Sequence, residues 1–209
     1  MTLSSASLIT LPQPSTNGGL TLEQAIAHRR SVREFEGGSV SLAQLGQLLW
    51  AAQGVTHPRG LRAVPSAGAL YPLELYAIAA DSGDIEAGVY HYRPDRHGLD
   101  RLVEGDFRSR FAAAALRQTW IERASVILVV VAVHARTMAK YGNRGRRYVA
   151  IEAGHCAQDI YLQAVSLELG ATEVGAFSDA AVSRLLRLPE GQEPVTSIAV
   201  GQPFSEHPP

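Results

Sequence analysis

A chain of 209 residues fits one domain, long enough to enclose a buried ligand and cramped for two independent cores. Its formal charge of −1 and 46% hydrophobic content exclude a global pull toward nucleic acid or an acidic membrane, so any anion site must be local. One cysteine, Cys156, excludes an internal disulfide framework; without a basic apolar leader or an apolar run near ~18 residues, the expectation is a cytoplasmic protein.

Residues 1–20 read as a Ser/Thr/Pro-rich arm ahead of a single domain at 21–209. Thr21 with Gln24, and Ser41 with Gln44, have capping-box spacing. They predict helices over about residues 22–30 and from 42 to a stop at Gly54, the second presenting Leu42, Leu45, Leu49 and Ala52 on one face. Residues 56–72 are punctuated by glycine and proline and read as a long loop, a class that is usually functional. A core strand follows at 73–80, then a hairpin at 89–94 and 99–103 around Asp95-Arg-His-Gly98, then a helix over 106–118. The run ASVILVVVAV at 124–133 predicts a central strand buried on both faces. Residues 140–147 read as a basic, glycine-containing loop. A helix over 148–169, about 33 Å long, sets the polar stripe Glu152, His155, Asp159, Gln163 and Ser166 against an apolar face around Cys156 and ends at Gly170. A serine-capped helix at 178–188 and a last strand at 194–200 complete an α+β pattern without repeats.

Three constellations carry chemistry. HRRSVREF, residues 28–35, crowds three arginines and a serine into five positions. Basic residues complement a helix C-terminus, yet guanidinium forks and a hydroxyl are also what a phosphomonoester needs, and there the side chains must act against the helix dipole. PSAGALYP, residues 65–72, is either a tight turn before a strand or a small-residue loop whose backbone N–H groups approach a flat or anionic ligand. Lys140-Tyr141 is either a solvated basic pair or a proton-transfer pair. The chain has no phosphate loop, no G-x-G-x-x-G and no G-x-S-x-G elbow; its histidines lack metal-ligand spacing, and Cys156 reads as a core filler rather than a nucleophile.

Taken in order, the segments Arg29-Arg-Ser-Val-Arg33, Arg62-Ala-Val-Pro-Ser-Ala-Gly-Ala-Leu-Tyr-Pro-Leu-Glu-Leu-Tyr76, Gly88-Val-Tyr-His-Tyr92, Lys140-Tyr-Gly-Asn-Arg-Gly-Arg-Arg-Tyr148, Glu152-Ala-Gly-His155 and Gly175-Ala-Phe-Ser-Asp179 resemble the nitroreductase family. Within it they are most similar to the SagB-type branch that includes thiazole/oxazole dehydrogenases. The resemblance spans residues 11–203 and implies an FMN-binding α+β fold. That fold has a mainly antiparallel sheet flanked by helices, in a homodimer with two flavin sites at the subunit interface. By this resemblance Arg29, Arg30, Ser31 and Arg33 hold the FMN phosphate and pyrimidine edge, while Pro65, Ser66, Ala67 and Gly68 reach the flavin from the other subunit. Gly175 and Ala176 lie near its N5, and Lys140 and Tyr141 match a Lys-Tyr pair implicated in azoline oxidation. Two departures stand out: Ala69 occupies a position where many nitroreductases have asparagine, and residues 201–209 supply no basic tail. Arg144, Arg146 or Arg147 is the expected substitute for that tail. The activity implied is FMN-dependent hydride exchange with a small or peptide-borne substrate, azoline oxidation being favoured. The alternatives are an NAD(P)H-dependent nitro or quinone reductase, and a non-catalytic subunit that binds flavin or a modified peptide. No metal, nucleic acid or membrane enters the reading.

Overall fold

A computed structural model describes residues 8–204. Its elements in chain order are β1 (Ile9–Thr10), α1 (Leu22–His28), α2 (Leu42–Gln53), β2 (Leu73–Ala79), β3 (Gly88–Arg93), β4 (Gly98–Glu104), α3 (Arg108–Ala114), β5 (Val126–Ala132), α4 (His134–Tyr141), α5 (Arg144–Ser166), β6 (Gly170–Val174), α6 (Asp179–Leu186) and β7 (Glu193–Gly201). The seven strands form one sheet in the order β1-β4-β3-β2-β5-β7-β6, and each neighbouring pair is antiparallel.

β5 explains why the apolar run is uninterrupted. Successive strand residues face opposite sides, and here both sides are core. Val126, Leu128, Val130 and Ala132 pack with α2 and α5; Ile127, Val129 and Val131 pack with Phe111, Val182 and Leu186 of α3 and α6. Burial of each such side chain contributes about 1.5–3 kcal/mol, so a polar residue at any of these positions would forfeit one of the largest local terms. Both capping boxes form, with Thr21 and Ser41 accepting the N–H groups of Gln24 and Gln44. Part of the arm is tied down as well: Ile9 and Thr10 pair with β4, and Leu11 is buried.

Four expectations need correction. α1 ends at His28 because Arg29 (φ −52, ψ 121) has already left helical space. The helix expected over 106–118 stops at Ala114, since Leu116 and Arg117 take positive φ. Residues 140–147 are not a loop: Lys140 and Tyr141 close α4, Gly142 caps it, and Arg144–Arg147 form the first turn of α5. Gly170 does not terminate a helix at 169; it opens β6, an edge strand whose five residues carry no alternation to announce it. Among the described residues, no helix is long and apolar enough to cross a membrane.

Candidate functional site

The first group of residues lies along the β6 edge. After α1 the chain runs beside β6: Ser31 bridges Ala171 in parallel register, Val32 N–H donates to the Ala171 carbonyl at 2.9 Å, and the Thr172 hydroxyl donates to the Val32 carbonyl. Gly170 permits this approach, because a Cβ there would stand 2.7 Å from a Val32 methyl. The Arg29 guanidinium sits 5.3 Å over the Tyr161 ring of α5. The Tyr161 hydroxyl accepts the Glu173 N–H at 2.6 Å and lies 3.3 Å from the Ser31 hydroxyl. Neither Arg29 nor the exposed Arg33 has a carboxylate partner among the described residues. Arg30 is different. Its guanidinium folds back to donate to the carbonyls of Ala27 and Arg29 at 2.9 and 2.8 Å, closing the end of α1. Gly175 and Ala176 continue from β6, exposed, with open space around Gly175, roughly 13 Å along the strand from Ala171. This edge therefore offers two unpaired guanidinium groups, a hydroxyl and open backbone in one line, a set suited to an oxyanion joined to a flat ring.

The second group is only partly enclosed: Glu152 is buried, Ser66 and Tyr141 are half-buried, and Gly68 and Lys140 are exposed. Ala67–Ala69 forms a single 3-10 turn in which Gly68 has φ 68, and Ala69 and Tyr71 are also left-handed at φ 53 and 44. A Cβ on Gly68 would lie 2.9 Å from the Tyr141 hydroxyl and 3.1 Å from Lys140 Nζ, so this glycine is what lets both groups reach the loop. Tyr141 is fixed edge-on against Tyr148 at 5.1 Å between centroids. Behind the turn, Ser66 Oγ accepts the Tyr71 N–H at 2.9 Å, and the Ser66 side chain favours the charged form of the nearby Glu152 carboxyl. Glu152 is 3% exposed and its Oε1 has no partner. Burial pushes this carboxyl above the usual carboxylate range, against the opposing pull of Ser66 and Arg62. An acid, a hydroxyl, a phenol and an ammonium thus line one wall, an arrangement that can hold and relay a proton.

The two groups hang on the same helix and do not meet. Glu152 and Tyr161 are nine residues apart on α5, which is about 14 Å of rise and two and a half turns, so their side chains leave opposite sides. Arg144, Arg146 and Arg147 lie with the second group: Arg144 is 5.9 Å over the Tyr148 ring, Arg146 is 3.8 Å from Glu193, and Arg147 is exposed. Arg147 is about 21 Å of helix away from Tyr161, so within one chain it does not supplement Arg29. Pro65 is exposed and Ala67 half-buried at the entrance to the turn. Cys156 is fully buried, and burial pushes its thiol up, which suits a packing role. Sequence reasoning passed over Arg62, Glu152 and Tyr161 as site residues. Glu152 could have been found as an acid within the most buried half of α5; nothing in the sequence marks the Tyr161 hydroxyl.

The Nitroreductase family profile matches residues 26–202. MJ1384, a protein of Methanocaldococcus jannaschii named as a nitroreductase, is 43% identical over 183 residues, covering 88% of this chain and 91% of that one. A crystal structure from Ralstonia eutropha, also described as a nitroreductase, superposes with a TM-score of 0.84 at 30% identity over 97% of this chain and 93% of that one. The trifolitoxin-processing protein TfxB of Rhizobium leguminosarum bv. trifolii is 28% identical over 151 residues, which is 70% of this chain and 40% of TfxB. A profile match over most of the chain and a 43% identical relative covered nearly end to end lead to one conclusion: the chain belongs to the nitroreductase family of oxidoreductases.

Proposed function

We propose that the chain is an FMN-dependent oxidoreductase of the SagB-type branch, acting as a homodimer, and that its preferred reaction is dehydrogenation of an azoline ring on a small or peptide-borne substrate. The observation that carries this reading is the division of the site across α5. One side offers cations, a hydroxyl and open backbone, and the other offers Gly68, Lys140, Tyr141 and Glu152; in this reading a second copy of the chain brings one of each together.

The β6 edge fits FMN. Arg29 and Arg33, both without carboxylate partners, and the Ser31 hydroxyl would hold the phosphate and the pyrimidine edge, and Gly175 with Ala176 would flank the ring. Bound FMN supplies a two-electron acceptor. The chain's own residues must do the rest. Dehydrogenation of an azoline removes two hydrogens, one of them as a proton, and Tyr141 or Lys140 would receive it in its basic form, as phenolate or free amine. Tyr148 holds the Tyr141 ring in place, and Ser66, accepting the Tyr71 N–H, holds the turn that carries Gly68. The likeness to TfxB, named as a trifolitoxin-processing protein, supports the SagB-type reading over a simple reductase.

MJ1384 favours a second reading, an NAD(P)H-dependent nitro or quinone reductase. One sequence of experiments separates the two. The purified protein takes up FMN, and failure to do so overturns the flavin assignment. Under argon the bound flavin is indifferent to NADH and NADPH; rapid bleaching selects the reductase. Tyr141→Phe and Lys140→Ala then abolish azoline turnover while retaining FMN.

A further inference from the structure

A cleft of about 820 Å³ opens beside the second group, lined from β2, β3, α4 and the segment between α6 and β7. That volume is typical of a small-molecule site. Its floor is an ion cluster centred on Glu74, whose side chain is 15% exposed and lies 2.8 Å from His91 Nε2 and 2.5 Å from the Arg136 guanidinium. Tyr76 stacks on His91 at 4.6 Å and 11°, making a flat wall, and its hydroxyl donates to Gln192 at 2.9 Å.

The cluster is short of negative charge. Arg62 lies half-buried 4.7 Å over the Tyr71 ring and donates only to neutral acceptors, Gln53 Oε1 at 2.8 Å and the Leu73 carbonyl at 3.4 Å. Arg136 donates to the Tyr71 carbonyl at 2.9 Å, so two guanidinium groups share one tyrosine and one carboxylate. Burial lowers the pKa of Arg62, which is the mark of a desolvated cation that is not fully compensated. Arg187 adds further charge to the lining, where the acids are Glu74 and Asp95; Arg93 also lines it but is 3.8 Å from Asp100.

Lys140 and Tyr141 do not line the cleft, but its lining runs close to them in the chain. Arg136 and Lys140 are one turn apart on α4, about 6 Å along its axis, and the lining residues Leu70 and Tyr71 follow Gly68 almost directly. We propose that Arg62 and Arg136 bind a carboxylate or phosphate group of the substrate, with the planar part of the molecule against Tyr76 and His91 and the reacting end toward Lys140 and Tyr141. The substrate is therefore an oxyanion-bearing molecule. Its orientation rests on the catalytic reading above; the binding of the oxyanion does not.

The test uses the FMN-loaded full chain, titrated calorimetrically with succinate and separately with inorganic pyrophosphate. Saturable binding of at least one probe is expected, weakened about tenfold or more in Arg62→Gln and in Arg136→Gln, which is about 1.4 kcal/mol. Arg62→Lys keeps the charge without the planar fork and should lose an intermediate amount, and it serves if Arg62→Gln does not fold. Preference for succinate identifies a carboxylate substrate, preference for pyrophosphate a phosphorylated one. No saturable binding of either probe, equal affinity in the arginine variants, or loss in Arg29→Ala instead, overturns the proposal. If the cleft binds as expected while Tyr141→Phe turns over normally, the catalytic reading falls and the cleft stands.

Discussion

The β6 edge and the Gly68 turn are built by different physics. Along β6, Ser31 and Arg33 are exposed and Arg29 half-buried, and the segment is positioned by backbone pairing, as Ser31 is by Ala171. Around Gly68 they are positioned by side-chain packing, with three left-handed residues in four positions and a buried carboxyl oxygen left without a partner. An exposed surface can bind an anion at little cost, whereas a buried carboxyl such as Glu152 has its proton equilibrium shifted by loss of water. The cation-bearing edge and the buried carboxyl thus lie on two faces of α5, and in the proposed function they serve binding and proton handling respectively.

The largest expected effect attacks that division directly. Arg29→Ala damages the first face. Gly68→Val drives a side chain into Tyr141 and Lys140, and displacement of a catalytic group by about 1 Å can cost about 10²-fold in rate. Each variant alone should be nearly inactive. After the two are unfolded together and refolded, about a quarter of the wild-type sites should return, because half the dimers are mixed and each mixed dimer has one intact site. Activity no greater than the sum of the separate variants would mean that each site is built within one chain.

A smaller effect measures the first face by itself. Loss of the charged contact in Arg29→Ala should weaken FMN binding about 30-fold, corresponding to about 2 kcal/mol, with Gly68→Val leaving FMN affinity closer to wild type. Fluorescence titration of the apoprotein decides it.

The buried acids sharpen the comparison through pH. Burial raises the Glu152 pKa, so the native state holds this proton more tightly than the unfolded chain does. Stability from this group is therefore present at low pH and lost as pH rises through the ordinary value of 4.5 toward the folded one. Glu152→Gln should stabilise the protein more at pH 7 than at pH 4. At Glu74 burial also raises the pKa, but hydrogen bonds from His91 and Arg136 outweigh it and the net shift is downward. Its contribution is present above 4.5 and is lost as pH falls through the depressed value, so Glu74→Gln should cost about 1.5 kcal/mol at pH 7 and progressively less in acid. Urea melts at the two pH values give both signs; a shared sign would show that the two carboxyls do not differ as described.

Features set by neighbours in sequence were legible before the structure. The capping boxes at Thr21 and Ser41, the hairpin around Asp95 and the apolar run of β5 each depend on a few adjacent residues. Features set by distant partners were not. β6 is a strand because β7 pairs with it, and α4 is a helix because α5 packs against it, although HARTMAKY is mostly polar. The Ser31 and Tyr161 hydroxyls meet across 130 residues. The motif order displayed candidates for the site, but their division into two faces follows from the turn count along α5, which requires knowing where that helix begins and which side chains contact Glu152 and Tyr161.

Arg30 gives the smallest effect and isolates side-chain direction from sequence position. It sits between Arg29 and Ser31, and by spacing alone it belongs to the anion site. Its guanidinium, however, is committed to the carbonyls of Ala27 and Arg29, where it satisfies acceptors left open at the end of α1. Such an exposed cap contributes a few tenths to about 1 kcal/mol to stability, partly through the helix dipole. Arg30→Ala should therefore lower the melting temperature slightly while changing FMN affinity by less than about threefold, under 0.7 kcal/mol. A loss equal to that of Arg29→Ala would mean that Arg30 releases its carbonyls and swings to the phosphate on binding, so that the β6 edge is assembled by its ligand and not waiting for it.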